Sequence, residues 1–135
     1  MVEERLTDGR RIAQFLASEV TGHGDDLGSL VVSDADPDVE PTPEGAFAYG
    51  IERRAGEDGA TATRVASVYV QPDRVRVDFE RAVDDVADAA SEAGLRVRPK
   101  AVDPPRTLVF VEDGAQVKWL LPALRAVAAD PETEP

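Results

Sequence analysis

The chain has 135 residues, no cysteine, and 27 Asp plus Glu against 15 Lys plus Arg, a net charge of -12. This length is enough for one domain with its own core, and the missing cysteines exclude disulfides, thiolate metal ligands and cysteine nucleophiles together. The opening MVEERL is acidic where a signal peptide needs a basic region, and no apolar run approaches the roughly 18 residues of a membrane span. A soluble, cytoplasmic protein is the expectation, with one globular domain over residues 1–129 and a disordered tail over 130–135.

Taken in order, Thr7 to Val20 has the period of a helix. Thr7 or Asp8 is its N-cap, and Ile12, Phe15, Leu16 and Val20 form its apolar stripe. Gly22 ends it. Gly22, Gly24 and Gly28 superficially resemble a phosphate loop, but a dinucleotide fingerprint follows a strand and opens a helix, whereas this run does the reverse and reads as a helix end and a turn.

Leu30 to Ser33 reads as a short strand. Asp34, Asp36, Asp38 and Glu40 then alternate, as at the start of a calcium loop. The sixth position is Val39 where that loop needs glycine, Pro37 stiffens the run, and the twelfth position is Gly45 instead of a glutamate, so the segment reads as a solvated linker with prolines 37, 41 and 43.

Ala46 to Arg53 is the next strand, with Phe47, Tyr49 and Ile51 on one face, and Arg54 to Ala60 is a polar turn. Arg64 to Phe79, RVASVYVQPDRVRVDF, is the clearest hairpin. Val68 and Val70 oppose Ser67 and Tyr69, and Pro72 and Asp73 suit the centre of a type I turn. On the return strand Val75, Val77 and Phe79 share the core face, while Arg74, Arg76, Asp78 and Glu80 share the wet one.

Ala82 to Ala93 is a helix with Val83, Val86, Ala87, Ala90 and Ala93 inward and Gly94 just past its end. Leu95 to Lys100 returns as a strand, with Arg96, Arg98 and Lys100 on the face opposite Leu95 and Val97. Past the stiff loop Val102 to Pro105, Thr107 to Glu112 is apolar on both faces and therefore belongs inside a sheet. A last helix from Ala115 to Ala129 buries Val117, Leu120, Leu121, Leu124 and Val127, and Pro122 should kink it or split it. The order α-β-β-β-β-α-β-β-α predicts an α+β fold in two layers, a mainly antiparallel sheet of about six strands with three helices on one face. That plan is loosely similar, in topology alone, to secretion-chaperone-like folds.

The segments LTDGRRIAQFLASEVTG, VVSDADPDVEPTPEGAFAYGI, VYVQPDRVRVDF and GLRVRPKAVDPPRTLVFVEDGAQVK resemble a family of small acidic proteins from halophilic archaea. That resemblance covers most of the chain, implies a salt-adapted cytoplasmic protein, and carries no catalytic residue across. The composition agrees: Lys100 and Lys118 are the only lysines, and at molar salt a Debye length of about 3 Å screens the self-repulsion of so acidic a chain.

Few residues offer chemistry. His23, the only histidine, lies in a glycine-rich turn and supports neither a serine triad nor a zinc site. Trp119 and Tyr69 read as aromatics at the margin of the core rather than a platform for bases. The local exception to the acidity is a stripe of outward cations, Arg74, Arg76, Arg96, Arg98 and Lys100. It would serve a protein partner, a second copy or a small anionic ligand, with nucleic acid disfavoured by the net charge. The structural alternative pairs these cations with Asp78, Glu80 and Glu52 across the sheet. The leading expectation is a non-catalytic interaction or ligand-binding module without a cofactor, associating through the sheet face or the last helix. Its rival is a small hydrolase using carboxylates and a divalent cation around Asp34 to Glu40.

Overall fold

A computed structural model describes residues 8–22, 27–55, 61–102 and 104–129. Its elements are α1 (Gly9–Gly22), β1 (Leu30–Ser33), β2 (Ala46–Ala55), β3 (Thr61–Gln71), β4 (Arg74–Phe79), α2 (Val83–Glu92), β5 (Arg96–Lys100), β6 (Arg106–Val111), α3 (Gly114–Trp119) and α4 (Leu121–Ala128). The six strands form one sheet in the order β1-β2-β3-β4-β6-β5, antiparallel throughout. The expected α+β architecture is therefore present. The last helix is split rather than kinked: Pro122 sits in the first turn of α4, where its missing N–H is one of the donors a helix start leaves unpaired.

Registered partners share a face, so the sheet sorts its residues by row. Tyr49, Val68, Val77, Val109 and Val97 form one row, and Ala46, Val70, Val75 and Val111 the next. The helices cover this face. Ile12, Leu16 and Val20 of α1, Val86 and Ala90 of α2, Val117 of α3 and Leu124 and Val127 of α4 complete a core with the valines, at spacings that follow the helical turn.

Three hydrogen bonds fix the helices to the sheet. The Tyr49 hydroxyl donates to the Ala13 carbonyl at 2.6 Å, Thr107 Oγ1 to the Val83 carbonyl at 2.8 Å, and Arg53 Nε to the Ala128 carbonyl at 2.7 Å. Burial pushes the Tyr49 hydroxyl far above the usual tyrosine range.

The start of α1 is docked on the β3–β4 turn. Gly9 N–H donates to the Pro72 carbonyl at 3.2 Å, and a Cβ on Gly9 would overlap the Gln71 carbonyl and come within 2.8 Å of the Arg74 carbonyl. Only glycine fits there. Asp8 caps this helix, its Oδ1 accepting from Arg11 N–H at 3.3 Å; Thr7, the other expected cap, lies outside the described residues, as do His23, Gly24 and residues 56–60 and 130–135.

Candidate binding surface on the open sheet face

Among the described residues no helix covers the second face of the sheet. Across it run two rows: Phe47, Tyr69, Arg76, Phe110 and Arg96, then Gly50, Ser67, Asp78, Leu108 and Arg98. All five cations expected to share a face do share it, yet they are not neighbours. β6 separates β4 from β5, placing Phe110 and Leu108 between the two sets.

The two halves of this face differ. On the β3–β4 side the segment preceding β2 closes over the strands: Thr42 N–H donates to the Val70 carbonyl at 3.3 Å, Gln71 Nε2 to the Pro43 carbonyl at 2.7 Å and Arg76 Nη1 to the Glu44 carbonyl at 2.8 Å. Gly45, at φ +98, lies so close that a Cβ would stand 3.1 Å from the Tyr69 Cβ and 3.3 Å from Arg76 Nη1. The Arg76 guanidinium covers the Tyr69 ring at 4.5 Å from its centroid, and Phe47 meets Tyr69 edge-on at 5.9 Å. These aromatics are thus occupied by their own chain and leave no free ring at Tyr69 for a base to stack on.

Charges on this side are matched as well. Arg76 pairs with Asp78 at 2.9 Å, and the Asp78 side chain is only 9% exposed. Arg64 reaches Asp34 at 2.7 Å and Glu52 at 3.9 Å and lies over Phe47 at 5.8 Å. Glu112, on the far side of β4, takes Arg74 at 3.8 Å and Arg96 at 3.9 Å. Its backbone is held by the start of α3: Gln116 Oε1 accepts from Glu112 N–H at 2.7 Å, while Asp113 Oδ1 accepts from Gln116 N–H at 3.0 Å, a variant of the reciprocal cap. Of the partners expected across the sheet, Asp78 does hold Arg76, but along the same strand. Arg74 pairs with Asp73 and Glu112, Arg96 with Glu112 and Glu52 with Arg64, and among the described residues Glu80 pairs with none of these cations.

On the β5–β6 side the matching stops past Arg96. Arg98 and Lys100 are exposed and have no carboxylate partner among the described residues. Arg106, half-buried and likewise without one, stands directly opposite Lys100 in the ladder. Like charges in that position oppose each other. Phe110 and Leu108, on the adjoining strand, give this cationic corner an apolar floor. Arg106 escapes a reading of the sequence because Thr107 looks like the strand's first residue; its parity with Phe110 is the signal that would have placed it.

The acidic segment after β1 is not gathered into a metal centre. Asp34 is engaged by Arg64, Asp36 Oδ1 accepts from Asp38 N–H at 3.0 Å, and Val39 turns inward and is buried. Among the described residues no three Asp, Glu or His side chains lie together as a cation site. A cleft at the start of α2 is lined by Glu80, Arg81, Asp84, Asp85, Pro104 and Pro105, with no serine, threonine or histidine in its lining. Trp119, 44% exposed at the end of α3, lies against Gly94 beyond α2. No helix among the described residues is long and apolar enough to cross a membrane.

Fold and face together define a small α+β protein whose sheet has one helix-covered face and one partly covered by the segment preceding β2. The model of a family of unknown function, DUF7993, matches residues 1–134, and the chain belongs to that family. No curated protein and no solved structure matches it.

Proposed function

We propose that the protein is a non-catalytic binding module, a single domain of a salt-adapted cytoplasm, whose recognition surface is the cationic corner formed by Arg98, Lys100 and Arg106. One observation carries this reading: Lys100 faces Arg106 across the β5–β6 ladder, and neither they nor Arg98 have a counter-charge among the described residues. In a chain of net charge -12, carboxylates are abundant, so an unmatched cation cluster is an arrangement that folding alone does not require. An anionic ligand supplies the missing counter-charges, and the partly exposed Phe110 offers the apolar contact that a protein segment adds. Its acidic remainder keeps the chain soluble where salt screens repulsion.

Titration of the isotopically labelled protein with a hexaglutamate peptide, followed by amide shifts, tests the reading. Perturbation concentrated in β5 and β6 is the expected result. Shifts spread evenly over the surface, or none at all, would refute it.

A further inference from the structure

The sheet has two free edges, and they carry opposite charge. At one end stands β5, whose Arg96, Arg98 and Lys100 are exposed. At the other stands β1, prolonged by a segment in which Asp34, Asp36, Asp38 and Glu40 are all exposed. That segment stays beside the sheet, since Asp36 N–H donates to the Ala48 carbonyl of β2 at 2.8 Å. Cations alternate along Arg96-Val97-Arg98-Pro99-Lys100 in β5. The acidic segment turns instead of running extended: Asp34 is at φ 53 and held by Arg64, and Val39 N–H donates to the Asp36 carbonyl. It leaves Asp36, Asp38 and Glu40 exposed.

We infer that the occupant of the cationic edge is the acidic edge of a second copy of this chain, docked head to tail. This deepens the binding-module reading and rests on it. The choice among pairings follows from charge. Two β5 strands meeting about a two-fold axis would set Arg98 against Arg98 and Arg96 against Lys100, which is repulsive. The β1 edge against the β5 edge sets opposite signs together instead. Pro99 and Pro37 each lack a backbone donor, so facing side chains rather than a full ladder carry the contact. Because the two surfaces differ, the contact is heterologous and leaves a free edge at each end of the assembly. At molar salt the long-range repulsion between two acidic copies is screened beyond about 3 Å, which lets them approach, and the exposed ion pairs they form are weakened as well.

Two charge-reversed variants test the pairing in molar potassium chloride by sedimentation equilibrium. Arg98→Glu with Lys100→Glu destroys the cationic edge and keeps the acidic one; Asp38→Arg with Glu40→Arg does the opposite. The wild type is expected to grow beyond the 14.5 kDa monomer with rising concentration and without stopping at a dimer. Each variant alone is expected to stay monomeric. Their equimolar mixture should associate again, because the acidic edge of one meets the cationic edge of the other and the two reversed edges are complementary as well. Should the acidic-edge reversal fail to fold, Asp38→Asn with Glu40→Gln takes its place, expected to weaken wild-type association at least tenfold. A wild type that stays monomeric, or a mixture that does not pair, overturns the inference. A monomeric wild type that still binds hexaglutamate at β5 and β6 refutes the second copy alone and leaves the binding module standing.

Discussion

Strands β4 and β5 present the same kind of residue at the same parity, and the protein treats them differently. On β4, Arg76 is held by Asp78, by the Glu44 carbonyl and by the Tyr69 ring, and Arg74 by Glu112. On β5, Arg98 and Lys100 contact no counter-charge among the described residues. A cation that is paired, stacked and half-buried belongs to the fold. A cation that is exposed and opposed by a like charge is available to something outside it.

Substitutions should follow that division. The largest effect belongs to the covered face: Phe79→Ala, at a side chain with no exposure, should cost about 3 to 5 kcal/mol by urea unfolding and leave the chain near the limit of folding. On the matched half of the open face, Asp78→Ala should cost about 2 kcal/mol, because Arg76 loses its carboxylate in a site from which water is largely excluded. A loss below about 0.5 kcal/mol there would erase the contrast with β5, since surface changes are ordinarily that small.

Tyr49→Phe sharpens the account of how the helices are held. Removing the hydroxyl that donates to Ala13 should cost about 1 kcal/mol near neutral pH. The sign of the pH effect follows from burial. The folded protein keeps the Tyr49 proton when the unfolded chain releases it at about pH 10, so this group's stability is complete below that pH and is lost as pH rises above it. Stability measured between pH 9 and pH 11 should therefore fall more steeply for the wild type than for the variant.

Much of this was legible in the sequence, for local reasons. The two-residue period sorted Val75, Val77 and Phe79 from Arg74 and Arg76, and it put Arg96, Arg98 and Lys100 on one side of their strand, because alternation is a property of each strand alone. Doubly apolar Thr107 to Glu112 announced an interior strand, and β6 is one. Strand order was not legible, since nothing within β5 records that the chain passes to the outside and returns with β6 against β4. The partners of the arginines were therefore hidden too: Glu112 depends on that return and on the cap at Asp113 and Gln116. The segment from Asp34 to Gly45 reads as a solvated linker by composition, yet Val39 is buried and Gly45 touches Tyr69, contacts that exist only once the sheet does.

The most direct measurement is made on Lys100→Glu, comparing urea stability and hexaglutamate affinity on the same variant. A glutamate opposite Arg106 replaces a like pair with an opposite one, so stability should rise by about 0.2 to 1 kcal/mol while affinity falls at least tenfold. A gain in stability with loss of binding shows that the cationic corner is kept at the expense of the fold. Undiminished affinity for hexaglutamate would contradict the claim that this corner is the binding surface.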